Sequence, residues 1–515
     1  MLPGDLPITA ERASGILLHP SSLPDTDGGT DASARRRTPR CPGSGDFGAS
    51  ARHFVDWLVA AGQRRWQVLP LGPVGPGNSP YMSPSAFALN PLLVDLEELA
   101  ARGWLESAEA AQAAHQPSVA GFRMACLRAA ARRFLADRGT DPDFEAFIAA
   151  EAAWLDDYAL FMTIEQRHPE RTWHEWPAAL AAREPSALAA LRGESADEIR
   201  FWQFVQWTAH RQWLDIRRHA NERGIRIVGD LPIFVALHSA DVWANPGLFH
   251  LDEDLRPRVV AGVPPDYFSA TGQLWGNPLY RWDRHRDLGY DWWLRRVKAA
   301  LAITDLVRID HFRGFAAYWE VPADATDAIG GRWVAGPGTD FFDAVAAALG
   351  APVGGLPIIA EDLGLLGPDV VALREAVGLP GMRVLQFAFG DDARNLYLPH
   401  NYERDTVVYT GTHDNDTTIG WFATATEEVR RNAQVYLGAD GREIHWDLVQ
   451  AASRSVANLA IYPLQDILGL GSEARMNRPG AGEGCWAWRF RWDQVAPWHA
   501  ERLAAITQAH GRAGD

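Results

Sequence analysis

Asp305–Asp310 reads DLVRID, a short β-branched run that ends on an acid. The same form recurs on both sides of it. Upstream lie Gly15–His19 (GILLH), Trp66–Leu69 (WQVL) and Ile225–Asp230 (IRIVGD). Downstream lie Pro357–Asp362 (PIIAED), Met382–Phe387 (MRVLQF), Thr406–Thr410 (TVVYT) and Leu459–Pro463 (LAIYP). Helical patterns separate several of them, at Ala49–Ala61, Phe341–Leu349 and Pro368–Val377. Apolar strands alternating with helices indicate a parallel sheet buried on both faces. Eight such runs predict a closed (β/α)8 TIM barrel rather than an open doubly wound sheet. No glycine-rich phosphate fingerprint follows any strand, which argues against a dinucleotide fold.

The spacing of the strands is uneven, and the excess length is assigned to insertions. Between Leu96 and Gly224 the chain is rich in Ala, Arg and Trp, with helical periodicity and no strong strand. Residues 200–223 within it read as one long amphipathic helix. The domain organisation expected is therefore a catalytic barrel from 1–96 and 201–515, with a helical insertion subdomain at 97–200. A second stretch, Leu237–Tyr290, is rich in Pro, Gly, Asp and aromatics, and is read as a long irregular active-site loop insertion, about 237–290. Asp25–Pro42 has few apolar residues and is read as a mobile loop.

Composition narrows the partners. The formal net charge is −16, which argues against nucleic acid and anionic membranes, since both need basic patches. Cys41, Cys126 and Cys485 lie far apart and fit neither a metal site nor a disulfide framework. The first residues lack the basic start and apolar run of a signal peptide, and no stretch approaches the roughly 20 apolar residues of a membrane helix. A cytoplasmic setting is the expectation. The 22 tryptophans are expected mainly to fill the core, with a few left to stack on sugar rings.

In an α/β barrel the acids at strand ends read as chemistry. Asp230, Asp310, Glu361 and Asp414 follow four different strands. Without a Cys/His cluster, metal chemistry would rest on carboxylates alone, whereas two carboxylates flanking a glycosidic bond need neither metal nor cofactor. One attacks the anomeric carbon; the other protonates the departing oxygen and then deprotonates the acceptor. The attacking acid must stay ionised, and Arg308 lies two residues before Asp310 on the same strand face. The proton donor needs a raised pKa, and Glu361 follows the apolar run Leu356–Ala360. His413 and Asp414 suit hydrogen bonds to sugar hydroxyls, and the charge of Asp414 favours an oxocarbenium-like transition state. The two reacting carboxyls are expected about 5–5.5 Å apart, as in retaining enzymes.

At these residues the chain resembles the 4-α-glucanotransferases of the amylomaltase and disproportionating-enzyme type, glycoside hydrolase family 77 of the α-amylase superfamily. The resemblance runs through SGILLHPSSLP (Ser14–Pro24), SPYMSPSAFALNPLLVDL (Ser79–Leu96) and GDLPIFVALHSADVWANP (Gly229–Pro246). It continues through GVPPDYFSATGQLWGNPLY (Gly262–Tyr280), VRIDHFRGF (Val307–Phe315), IIAEDLG (Ile358–Gly364) and YTGTHDNDT (Tyr409–Thr417). RMNRPG (Arg475–Gly480) and WAWR (Trp486–Arg489) close it. The resemblance implies Asp310 as nucleophile, Glu361 as general acid/base and Asp414 as transition-state stabiliser. It implies contacts with the glucan for Ser79, Tyr81, Asp230, Asp266, Gln273, Trp275, Asn277, Arg308, His311 and His413. The implied reaction moves an α-1,4-glucan segment to the 4-OH of glucose or a maltooligosaccharide, with retention, through a covalent glycosyl-enzyme. No cofactor, no metal and no C-terminal β-sandwich are implied.

The chain departs from that family's pattern in three places. Asp25–Pro42 is an insertion near the barrel mouth, Met82 replaces a commonly polar residue, and Leu89 replaces a common Gly. Two other readings compete: a hydrolase of the same superfamily, and a non-catalytic glucan-binding protein. The three acids argue against the binder. The Gly262–Tyr280 segment, carrying Tyr267, Phe268, Gln273 and Trp275, favours transfer, because a loop over the cleft excludes water and holds an acceptor.

Overall fold

A computed structural model describes residues 11–24, 45–138, 141–265, 269–364, 367–481 and 484–513. The Asp25–Pro42 loop reading lies outside the described residues, as do Asp266, Tyr267 and Phe268.

The described strands are, in chain order, β1 (Ala13–Leu17), β2 (Arg65–Gln67), β3 (Arg226–Pro232), β4 (Val259–Val263), β5 (Gln273–Pro278) and β6 (Leu306–Asp310). Then follow β7 (Ala317–Pro322), β8 (Arg332–Ala335), β9 (Ile358–Ala360), β10 (Gly381–Val384), β11 (Thr406–Tyr409) and β12 (Leu459–Pro463). Eight of them form one parallel sheet in the order β10-β11-β12-β1-β2-β3-β6-β9. These are the eight runs read from the sequence. The two ends of that order meet: the Ala360 N–H donates to the Pro380 carbonyl at 2.9 Å. Across the same seam the Met382 N–H donates to Asp362 Oδ1 at 2.7 Å, so a buried carboxylate stands in for a strand carbonyl. Arg374 and Arg383 flank that carboxylate at 3.3 and 3.5 Å.

Side chains alternate along a strand, and here both faces are buried. One set, including Leu17, Val228, Leu306, Ile359, Val384, Val407, Tyr409 and Ile461, fills the barrel interior. The other set, including Trp66, Ile227, Val307, Ile309 and Ile358, joins the core shared with the surrounding helices. Trp66, Trp173, Trp213, Trp243, Trp293 and Trp446 are among the largest fully buried side chains. They account for a good part of the tryptophan content as packing.

Helices follow one another from Leu96 to Glu222, the longest being Val119–Arg138, Pro142–Arg167 and Ala196–Glu222. The last begins before the expected Arg200, with Asp197 and Glu198 in its first turn, where the helix dipole favours acids. Its Gln206 side chain reads the backbone of Leu89 as a strand would. It accepts from the Leu89 N–H and donates to the Leu89 carbonyl, each at 2.8 Å.

The Leu237–Tyr290 stretch differs from its sequence reading. It is not irregular throughout: β4 and β5 form an antiparallel hairpin, and with β7 and β8 they build a second sheet, in the order β5-β4-β7-β8. Within the Gly262–Tyr280 segment, Gly262 and Val263 thus end one arm of the hairpin and Gln273–Pro278 form the other. Gly262 is required there, since a Cβ would come within 2.6 Å of the Gln273 carbonyl oxygen.

Beyond β12 the described chain carries only short helical turns and the helix Pro497–Ala509. Arg512, past that helix, is buried and donates to the carbonyls of Ala13, Ser453 and Ala457 at 2.8–3.0 Å. It ties the end of the described chain to the start of β1.

Candidate active site

The interior set of side chains continues past the ends of the strands, and there it turns polar. On β3, Val228 is followed by Asp230; on β6, Leu306 by Arg308 and Asp310; after β9, Ile359 by Glu361. Each polar residue lies two or four positions beyond an interior residue and so shares its face. The parallel register pairs Asp230 with Arg308 and Ile309 with Ala360. Asp310 and Glu361 are therefore the next residues on neighbouring strands. The Glu361 N–H donates to the Ile309 carbonyl at 3.1 Å, which locks that step.

Arg308 sits at the centre of the cluster. Its Nη1 donates to both Asp230 oxygens, at 2.8 and 2.7 Å, and its Nη2 donates to Asp310 Oδ1 at 2.8 Å. The Asp230 side chain is fully buried, whereas that of Asp310 is 28% exposed and faces the opening. Burial works against the guanidinium charge, but Asp230 and Asp310 outweigh it and hold Arg308 protonated well above its ordinary range. The Tyr81 hydroxyl donates to Asp230 Oδ2 at 2.7 Å, which satisfies the remaining side of that carboxylate.

Glu361 sits differently. Its oxygens accept from the backbone N–H of His311 at 2.7 Å and of Leu363 at 2.9 Å. Burial pushes its carboxyl up to about 7; the charge of Asp310 adds to this, while Arg308 and the two N–H donors oppose it. His311 adopts a left-handed backbone conformation, φ 51°, which costs about 1–3 kcal/mol for a residue other than glycine. Burial also lowers the His311 imidazole to about 4, so near neutral pH it is uncharged. Its ring lies edge-on to Trp275 at 4.7 Å and near Phe234 at 6.4 Å.

His413 and Asp414 come from the loop after β11. The His413 ring stacks on Tyr81 at 5.3 Å with the planes 12° apart, and Trp486 borders both rings. Asp414 is 44% exposed on its side chain, with His413 Nε2 3.4 Å from Oδ1. Asn477 Nδ2 donates to the same oxygen at 2.6 Å, and Arg475 Nη2 donates to the Asp414 carbonyl at 2.6 Å.

The structure thus brings Tyr81, Asp230, Arg308, Asp310, His311, Glu361, His413 and Asp414 to one end of the barrel. Trp275 joins them through His311. Of the remaining residues singled out, Asp266 lies outside the described residues and the other three have these partners. Ser79 caps the turn Pro80–Met82, its Oγ accepting from the Tyr81 N–H. Gln273 Oε1 accepts from Trp275 Nε1 at 3.1 Å on β5. Asn277 is buried, and its amide donates to the Val235 carbonyl at 2.9 Å and to Met82 Sδ at 3.6 Å. Asn477 and Arg475, within the quoted RMNRPG run, received no role from the sequence. They lie more than 60 residues from Asp414, and spacing carries no signal for that contact. Among the described residues no group of three His, Cys, Asp or Glu side chains is gathered for a metal.

A family model described as 4-alpha-glucanotransferase matches residues 37–495. A 4-alpha-glucanotransferase of Thermus thermophilus is 48% identical over 515 residues, covering 97% of this chain and 99% of that one. One from Synechocystis sp. is 47% identical, with 98% of each chain covered. Among solved structures, an amylomaltase from Streptococcus agalactiae in complex with acarbose matches with a TM-score of 0.90 at 35% identity, covering 98% of this chain and 100% of that one.

Proposed function

The chain belongs to the 4-alpha-glucanotransferase family and is an enzyme of that activity, and we propose that Asp310, Glu361 and Asp414 carry its chemistry. The carrying observation is the contrast between two neighbouring carboxyls. Asp310 accepts from a permanently charged Arg308, while burial raises Glu361 to about 7. A carboxyl facing a guanidinium suits the attacking role, and a buried one that still holds its proton near neutral pH suits the donor role.

The reaction proceeds in two displacements. An Asp310 oxygen attacks C1 of the donor glucosyl unit. The glycosidic oxygen takes the Glu361 proton and leaves with the fragment on the reducing side. A glycosyl ester on Asp310 remains. The 4-OH of an acceptor sugar then gives its proton to Glu361 and attacks C1, which releases the Asp310 carboxylate. Two inversions give retention. Asp414 faces the oxocarbenium-like charge in each step. Arg308, His311 and His413 line the donor sugar, and Ser79, Tyr81, Asp230, Asp266, Gln273, Trp275 and Asn277 complete the glucan-side set carried over from the resemblance.

The substrates on this reading are α-1,4-glucans and maltooligosaccharides. The barrel is assigned to 1–96 and 201–515, and the helical insertion to 97–200. A cytoplasmic setting belongs to the same reading, supported by three widely spaced cysteines, which suit a reducing compartment. No helix among the described residues is long and apolar enough to cross a membrane.

Incubation with maltotriose tests the reading. Transfer yields both longer and shorter oligomers, with little net gain of reducing ends. Shorter products alone, with reducing ends accumulating, would make the chain a hydrolase, and unchanged maltotriose would make it a binder. The same assay in EDTA is expected to run at an unchanged rate. Loss on chelation with recovery on added Ca²⁺ would reveal an ion in the site.

A further inference from the structure

We propose that Asp466 is a positioning residue for the transfer reaction, holding both ends of the loop 411–417 and thereby fixing where Asp414 meets the substrate. Asp466 follows β12, in the short helix Leu464–Ile467, and is 1% exposed. Its Oδ2 accepts from the Thr410 hydroxyl at 2.6 Å and from the Thr418 hydroxyl at 2.8 Å. Its Oδ1 accepts from the Thr418 N–H at 2.7 Å. Thr410 is the first residue past β11, and Thr418 opens the helix Thr418–Thr424. Both threonines are fully buried. One carboxylate therefore ties the entry of the loop to its exit.

The loop between these ends is braced from within and from the side. The Thr412 N–H and hydroxyl both donate to Asn415 Oδ1 at 2.9 Å. Gln386 Nε2 donates to the Asp416 carbonyl at 2.8 Å, and the Ser472 hydroxyl donates to Asp416 Oδ2 at 2.8 Å. The Asp414 carboxylate itself stands at the cleft and is half exposed. Its position is set by the backbone beneath it and by Asn477. The clamp thus acts on a group whose value to the reaction depends on placement, where a shift of about 1 Å is worth on the order of a hundredfold in rate. Burial raises the Asp466 carboxyl above its ordinary range, and the charge of Asp416 adds to this, while the three bonds oppose it. An ionised Asp466 is the form that can accept from all three donors.

The inference rests on the reading of Asp414 given above, and the test separates the two. Asp466→Ala is expected to lower kcat for maltotriose transfer by about a hundredfold, with KM within about threefold. Asp466→Asn, whose oxygen still accepts from the Thr418 N–H, is expected to recover kcat to within about tenfold of the natural enzyme. Fluoride release from α-maltotriosyl fluoride is then measured for Asp466→Ala with and without Asp414→Asn. An effect below about tenfold in the Asp414→Asn background supports the clamp, because the two residues then act through one another. An effect of about tenfold or more there overturns it and leaves the role of Asp414 standing. If Asp414→Asn alone leaves kcat intact, the role of Asp414 falls and this inference with it. Should Asp466→Ala fail to fold, Thr410→Val removes one of the three bonds at nearly constant shape and enters the same cycle with the same threshold.

Discussion

Asp310→Asn is expected to lower kcat for transfer from maltotriose by at least about 10⁴-fold while the protein stays folded. An asparagine amide cannot form the glycosyl ester, so the double displacement has no first step. The fold is expected to survive because little rests on the charge. Asp310 is partly exposed and takes one bond from Arg308, which an asparagine oxygen can accept in its place. The buried guanidinium keeps its bidentate partner Asp230, so no uncompensated buried charge is created. A melting temperature within a few degrees of the natural enzyme is the structural control. The loss should be equally deep with a glycosyl fluoride, since an activated leaving group does nothing for a missing nucleophile. Turnover of the fluoride by Asp310→Asn at even about one per cent of the natural rate would place the nucleophile elsewhere.

The parts of this site legible in the sequence are those that follow from period two along a single strand. Asp230, Arg308, Asp310 and Glu361 each lie two or four residues past an interior apolar residue, and a strand in a barrel leaves such a residue nowhere to point except the mouth. The strands were readable for the same reason, each being a dense apolar run between turn signals. What stayed illegible depends on contacts across the chain. Asp466 grips a loop that begins more than 50 residues earlier, and Asp362 closes the seam between β9 and β10 from a position that reads as one more acid after PIIA. The second sheet was hidden because Gly and Pro interrupt its first two strands and their partner lies far along the chain. β5 reads QLWGNP, with Gly and Pro inside it; β4 contains Gly262; and their partner β7 lies beyond β6. Pairing, not propensity, makes β5 a strand. Asn277 shows the converse limit: the motif singles it out for substrate, while its amide nitrogen is engaged by the Val235 carbonyl and Met82.

Glu361→Gln and the pH profile are expected to report one property from two sides. The acid must hold a proton when the glycosidic oxygen leaves, and burial with the neighbouring Asp310 charge puts its midpoint at about 7. A raised pKa means that the competent, protonated form dominates below about 7 and is lost above it. For maltotriose, kcat/KM should therefore fall on the alkaline side, approaching tenfold per pH unit past the midpoint. Fluoride needs no proton to depart, so glycosylation by α-maltotriosyl fluoride should lack that alkaline limb. Glu361→Gln removes the proton altogether. Its kcat/KM with maltotriose should drop by about 10²–10⁴-fold, while the first turnover of the fluoride recovers most of the natural rate. The second half-reaction still needs a base to take the acceptor's proton, so fluoride release should appear as a burst of one equivalent followed by a slow phase. Equal slowing of both donors, or an alkaline limb common to both, would mean that Glu361 does not protonate the leaving oxygen. The raised pKa would then reflect its burial beside Asp310 and nothing of the reaction.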